Sequence, residues 1–268
     1  MSMWGDDWSI VKALGKEEAE LENLRRIFDA AVARGVNTWF SDWTAYGKSE
    51  EILGTFLRTL PRESYCVATE FHPQLLGFTR EVPSEDSFGE IFAASVRRLH
   101  TGFIDIMWLV HKPEDWLEST IPYLQTERIG RIGFKCSELE EVRKFWDLPP
   151  AEGLNAPAVW GRYDLFDRRA EKSGLLEWCE DHRTKFFCSC TVRGHEEFFS
   201  HDTVKEIAEA HGLTARQVAV AWAVSKGAVP VIMANSLELV DEAAKVAEAG
   251  LCSDEVSTLE KLAERMKE

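Results

Sequence analysis

Cations are the first scarcity. Lys and Arg total 31 against 46 Asp and Glu, a formal net charge of −15 at pH 7. A field of that sign repels phosphate backbones and anionic bilayers, so neither nucleic acid nor membrane is an expected partner. No apolar stretch reaches the roughly 20 residues that cross a bilayer. The opening Met1-Ser2-Met3-Trp4-Gly5-Asp6 lacks the basic and apolar regions of a secretion signal. Only six cysteines occur; with no CxxC pair and no framework spacing they read as reduced thiols of a cytoplasmic protein. No glycine-rich dinucleotide fingerprint follows any strand-like run, which argues against an open doubly wound sheet. Linkers, repeats and low-complexity stretches are also missing, so residues 1–268 are expected to form one domain. What the chain has in quantity is aromatics, ten Trp and fifteen Phe, enough to line an apolar pocket as well as a core.

The apolar pattern alternates between two periods. Leu21, Leu24, Ile27, Phe28, Ala31 and Val32 recur at helical spacing, and a β-like run follows at 37–40. Helical stripes at 52–60, 88–99, 115–126, 138–146, 173–182, 202–211 and 214–226 interleave with strand candidates at 65–69, 104–110, 129–134, 158–160, 185–189 and 229–232. Thr214 and Gln217 have the spacing of a capping box. Two helices end the chain, and residues 1–5 read as a stub of a first strand. Repeated βα units in this number predict a (β/α)8 barrel, in which chemistry sits where strands end and βα loops begin. The residues at those ends are Ser41, Asp42 and Tyr46; Glu70 and His72; His111; Lys135 and Cys136; Trp160 and Arg162; Cys188 and Cys190; and Asn235 and Ser236.

Several segments resemble the aldo-keto reductases. Gly35-Val36-Asn37 through Tyr46-Gly47-Lys48-Ser49-Glu50-Glu51-Ile52-Leu53-Gly54 is similar to the stretch around that family's catalytic Tyr. Phe103-Ile104-Asp105 with His111-Lys112-Pro113 resembles the strand that carries its catalytic His. Ile129-Gly130-Arg131-Ile132-Gly133, Leu175 to Cys179 and Thr214 to Ala219 resemble later segments. The likeness covers nearly the whole chain and implies the family's TIM barrel, here with the N-terminal hairpin absent and the first strand shortened.

The resemblance also implies a site. Tyr46 matches the Tyr that protonates a substrate carbonyl, and His111 the His that orients it. The family's Asp falls on Ser41, with Asp42 beside it, and its Lys falls on Glu70. A carboxylate there raises a phenol's pKa where an ammonium would lower it. The positions that would grip NADPH are altered as well. They hold Lys135-Cys136, Trp160-Gly161, Cys188, Leu239 and Ala243, and only Ser236 is kept, with Asn235 preceding it. The acidic run from Glu238 to Glu242 suits a 2′-phosphate poorly.

Each candidate has two readings. Tyr46 and His111 are either a pair gripping a carbonyl or buried, hydrogen-bonded relics. Glu70 is either a general base in an apolar pocket or the ion-pair partner of Lys135 or Arg162. Lys135 is either a desolvated amine or that partner, and Asp42 either orients a group or is solvated. Trp43, Trp108, Trp160, His72, Arg162 and Cys188 are the expected substrate contacts. Metal ligation by His72, Glu70 and His111, or by the cysteines, is the lesser alternative, and no metal is expected.

The chain is therefore expected to be an enzyme on an aldo-keto-reductase-like barrel, acting without a cofactor on a small apolar or aromatic carbonyl compound. Acid/base chemistry of isomerase, dehydratase, cyclase or lyase type is expected, in small-molecule biosynthesis. An NADPH-dependent carbonyl reductase with an atypical tetrad is the alternative, and a non-catalytic binding or regulatory protein the third. The partner is a small-molecule substrate; the oligomeric state stays open.

Overall fold

Both apolar periods take the form the pattern predicts. A computed structural model describes residues 17–41, 47–71, 85–110, 113–146, 155–189, 195–232 and 234–267. Among them are twelve α-helices and seven strands, in two compact units.

The first unit comprises residues 1–135, 142–158 and 233–237. It runs α1 (Glu17–Ala33), β1 (Thr38–Ser41), α2 (Lys48–Leu57), β2 (Cys66–Phe71), α3 (Glu85–Arg98), β3 (Ile104–Leu109), α4 (Leu117–Gln125) and β4 (Ile129–Lys135). The strands are parallel and pair in chain order, Phe40 with Ala68, Glu70 with Trp108 and Trp108 with Gly133. Parallel strands need a crossover, and each helix supplies one. The α1 stripe of Leu24, Ile27, Phe28 and Ala31 is buried. Phe28 lies 4.3 Å from the Trp39 ring and 5.4 Å from Phe56, so α1, α2 and β1 share one aromatic cluster. Burying each such ring contributes about 1.5–3 kcal/mol. Further along the same layer Phe71 meets Phe88 and Trp116, and Phe134 meets Phe145 of α5 (Leu139–Trp146).

The second unit comprises residues 136–141, 159–232 and 238–268. Its strands β5 (Ala158–Arg162), β6 (Phe186–Ser189) and β7 (Val229–Pro230) are again parallel and sequential. The helices are α6 (Arg169–Lys172), α7 (Leu175–Asp181), α8 (Glu196–Ser200), α9 (Asp202–Ala210), α10 (Ala215–Ser225), α11 (Leu237–Glu248) and α12 (Ser253–Arg265). The α10 capping box forms as its sequence predicts: the Gln217 N–H donates to the Thr214 hydroxyl at 3.2 Å, and the Thr214 N–H to the Gln217 side chain at 2.7 Å.

A charged cluster ties α6, α10 and α12 together. Glu171 accepts two bonds of 2.8 Å from Arg168, one of 3.0 Å from the Tyr163 phenol and one of 2.8 Å from Lys226. Lys226 also reaches Glu260, which accepts the Trp222 indole N–H at 3.1 Å. Burial pushes the Glu171 carboxyl up, but the Arg168 and Lys226 donors outweigh it and hold the group at about 2.

The structure thus bears out an α/β fold of parallel strands each leading into helices, with seven strands among the described residues. The expected stub at residues 1–5 lies outside them.

Candidate functional site

Side chains alternate across a strand, so one bond fixes which face each residue takes. The Thr69 hydroxyl donates to Glu50 of α2 at 2.6 Å, which puts Thr69 on the helix side of the first unit's sheet. Glu70 therefore points to the opposite face. Its register partner Trp108 points the same way and meets Phe40 edge-on at 6.4 Å. Gly133 follows in register, and Lys135 lies two residues further along the same face. Gly133 is required here: a Cβ on it would run into the Trp108 benzene ring. The bare glycine lets the indole lie over β4.

At the C-terminal ends of β2 and β4 the Lys135 ammonium donates to Glu70 Oε1 at 2.6 Å. The carboxylate side chain is 9% exposed and the lysine 41%. The pair is thus asymmetric, a nearly desolvated anion held by a half-solvated cation. At such a strand end it can fix charge, relay a proton or orient an oxygen.

A second polar group sits on the helix side. Glu50, 2% exposed, accepts Arg98 Nε at 2.6 Å and a second guanidinium nitrogen at 2.5 Å, besides Thr69. The hydroxyls of Ser41 and Ser49 share a hydrogen bond of 3.1 Å. Ser41 is fully buried against α2, on the face opposite Glu70. Sequence reasoning missed Glu50 and Arg98. Glu50 stands inside the segment that carried the resemblance, but its partner is 48 residues away and no spacing rule links them.

In the second unit Arg162 donates to Asp164 at 3.1 Å, and Asp164 also accepts the backbone N–H groups of Phe166 and Asp167, each at 2.8 Å. Trp160 is half-buried. Cys188 is fully buried and pairs in register with Gly161 and Pro230. It shares the face of Phe186, which packs edge-on against Tyr163; Phe187 and Ser189 take the other face and are half-buried. Burial pushes the thiols of Cys136 and Cys179 up to about 12. After β7, Asn235 is exposed and Ser236 half-buried. The first turn of α11 carries Glu238, and no Lys or Arg occurs between 234 and 244.

Of the expected site residues, the structure brings Glu70, Lys135 and Trp108 together. Arg162 pairs with Asp164 instead. Tyr46, His111, Asp42, Trp43, His72 and Cys190 lie outside the described residues. Among those described, no three His, Cys, Asp or Glu converge on a metal position, and no helix is long and apolar enough to cross a membrane.

Comparison with known proteins agrees with this architecture. Residues 3–264 match the model of the Aldo/keto reductase family. Methylglyoxal reductase YeaE of Escherichia coli is 26% identical over 226 residues, 81% of this chain and 76% of that one. Versiconal hemiacetal acetate reductase of Aspergillus parasiticus is 22% identical over 292 residues, 87% of this chain and 84% of the relative. An aldo/keto reductase from Klebsiella pneumoniae, solved with NADP and acetate, superposes with a TM-score of 0.78 at 22% identity. That superposition covers 98% of this chain and 90% of the other. A thermostable aldo-keto reductase solved with the inhibitor epalrestat gives 0.79 at 20% identity, covering 98% and 93%. These likenesses show a shared fold.

Proposed function

Because the chain belongs to the aldo/keto reductase family, we propose that it reduces a small carbonyl compound with a nicotinamide dinucleotide, the reading that the sequence alone put second. Reductases at 22–26% identity support it. The observation that carries it is the Glu70–Lys135 pair. It keeps an ammonium group at the strand ends, supplied by β4 where the resemblance leads one to look on β2. In this reading the strands close as the family's (β/α)8 barrel. Tyr46 gives its proton to the carbonyl oxygen and His111 orients that oxygen. Lys135 favours the phenolate by charge, and Glu70 holds the lysine in place.

The donor set answers the dinucleotide's parts unequally. Asn235 and Ser236 offer polar contacts to ribose or pyrophosphate. A 2′-phosphate finds no cation between 234 and 244, and an aromatic ring finds no surface on Cys188, which is fully buried. The dinucleotide supplies the hydride when bound; orientation, charge and the carbonyl's proton come from the chain.

The test is titration of NADH and NADPH against intrinsic Trp fluorescence, followed by turnover of aliphatic and aromatic aldehydes read at the reduced nicotinamide absorbance. Quenching by either dinucleotide at micromolar levels, and a Tyr46→Phe variant about 100-fold slower, is the expected result. No binding of either at millimolar concentration overturns it.

One observation favours a second reading. The buried carboxylate of Glu70 stands where the resemblance expects a cation, which suits proton transfer next to a carbonyl without hydride chemistry. Solvent deuterium appearing at the carbon beside a carbonyl, in the absence of any dinucleotide and lost in Glu70→Gln, would select that reading.

A further inference from the structure

The strand ends of the second unit carry a cation that is clamped on one edge and open on the other. Alternation puts Trp160 and Arg162 on one face of β5, and Phe187 and Ser189 on one face of β6. Register joins them, Trp160 with Phe187 and Arg162 with Ser189, so the four side chains share a face. The opposite face, with Val159, Phe186 and Cys188, is buried. On the shared face Trp160, Phe187 and Ser189 are half-buried and Arg162 is exposed.

Arg162 Nε reaches Asp164 at 3.1 Å. Among the described residues its two terminal nitrogens donate to no protein group. Asp164 is fully buried and is fixed by the backbone N–H groups of Phe166 and Asp167, so it is a rigid clamp. The next carboxylate, Asp167, is occupied by Arg169 through bonds of 2.9 and 2.8 Å. The guanidinium is therefore oriented by one edge, and its outer fork is left for a ligand beside two aromatic rings.

We propose that Arg162 anchors the carboxylate of a ligand whose aromatic body lies over Trp160 and Phe187. Under the carbonyl-reductase reading, on which the substrate assignment rests, the substrate is an aromatic aldehyde or ketone bearing a carboxylate. The fork matches a carboxylate with two parallel N–H···O bonds. Clamping by Asp164 lowers the cost of ordering the side chain on binding. The half-buried rings offer apolar faces to an aromatic body. The net charge of −15 repels anions in general, so binding depends on this one guanidinium.

Titration of benzoate, and of benzamide as its neutral counterpart, against Trp fluorescence tests the site. Wild type should hold benzoate about tenfold more tightly than benzamide. Arg162→Met should lose about tenfold for benzoate and less than about twofold for benzamide. Arg162→Lys should fall between, since it keeps a charge for Asp164 but lacks the fork; it decides the matter if Arg162→Met does not fold. Phe187→Ala should weaken both probes by a similar factor. With dinucleotide present, kcat/KM for 4-carboxybenzaldehyde should exceed that for 4-methylbenzaldehyde about tenfold in wild type and match it in Arg162→Met. No saturable binding of benzoate below about 10 mM, equal binding of the two probes, or wild-type benzoate affinity in both Arg162 variants would overturn the anchor. Turnover of the two aldehydes at equal kcat/KM would overturn the substrate assignment. Wild-type protein that binds benzoate through Arg162 but turns over neither aldehyde supports the anion site and refutes the reductase reading.

Discussion

Replacing Lys135 should destabilise the fold more than replacing Glu70, although the two share one bond. The reason is the asymmetry of burial, 9% exposure for the carboxylate side chain against 41% for the lysine. Lys135→Met strands a desolvated anion beneath an apolar stem. Removing one partner of a fully buried pair costs about 3–5 kcal/mol, and water at the ammonium end scales that to about 1–2 kcal/mol. Glu70→Gln leaves a lysine that swings into solvent and an amide that can still accept a bond, so its cost is at most about 0.5 kcal/mol. Pairing Glu70→Leu with Lys135→Met, which removes the stranded carboxylate, should recover about 1 kcal/mol of the Lys135→Met loss. Urea denaturation at pH 7 followed by Trp fluorescence reads all four proteins, with midpoints compared at equal slope. Glu70→Gln costing as much as Lys135→Met, or a double variant no better than the lysine variant, would refute the argument that the carboxylate is the desolvated partner.

Three further outcomes follow from the same physics. Glu171, held at about 2 against an ordinary 4.5, contributes stability that is fully present above pH 4.5 and drains away as pH falls toward 2. For a side chain a quarter exposed, solvent screening leaves about 1–2 kcal/mol of this linkage, and Glu171→Gln should flatten acid unfolding curves over that window. Gly133→Ala should cost about 1–3 kcal/mol and shift Trp emission, because its methyl must displace the Trp108 ring; denaturation equal to wild type would disprove that close approach. Among the described cysteines, thiol labelling at pH 8 mapped by peptide mass should find Cys252 first, since it is exposed, while burial keeps Cys66, Cys136 and Cys179 at about 12 and so almost entirely protonated.

Much of this architecture is legible from hydrophobic period. All seven strand candidates appear, with bounds moved by a residue or two, because their flanking stops are real. The strand expected at 229–232 shrinks to Val229–Pro230, since proline has no N–H to give a ladder, though the Val231 N–H still reaches the Cys188 carbonyl at 2.8 Å. The helices Arg169–Lys172 and Glu196–Ser200 are too short to show a period and are held by tertiary partners. At the site, strand ends pick out Glu70 and Lys135 as candidates, and an ion pair between them is one of the two readings the sequence allows. Alternation then settles which side each residue faces: it turns Ser41 toward α2 and puts Cys188 on the face of Phe186, away from half-buried Phe187 and Ser189, which matching positions alone does not foretell. The Glu50–Arg98 contact was invisible because it depends on how α2 lies against α3, and no local pattern encodes that.

The sequential order of β1 to β4 keeps every neighbouring strand pairing short-range in the chain. Each pairing closes over a single crossover, Thr38 onto Cys66 and then Ala68 onto Ile106, so a chain emerging from the ribosome can add one strand at a time at modest entropic expense. The bond between Lys135 and Glu70 is different, because β3 lies between their strands. It spans 65 residues of chain and needs β3 seated between β2 and β4, so it is a long-range closure that completes the charged rim of these four strands.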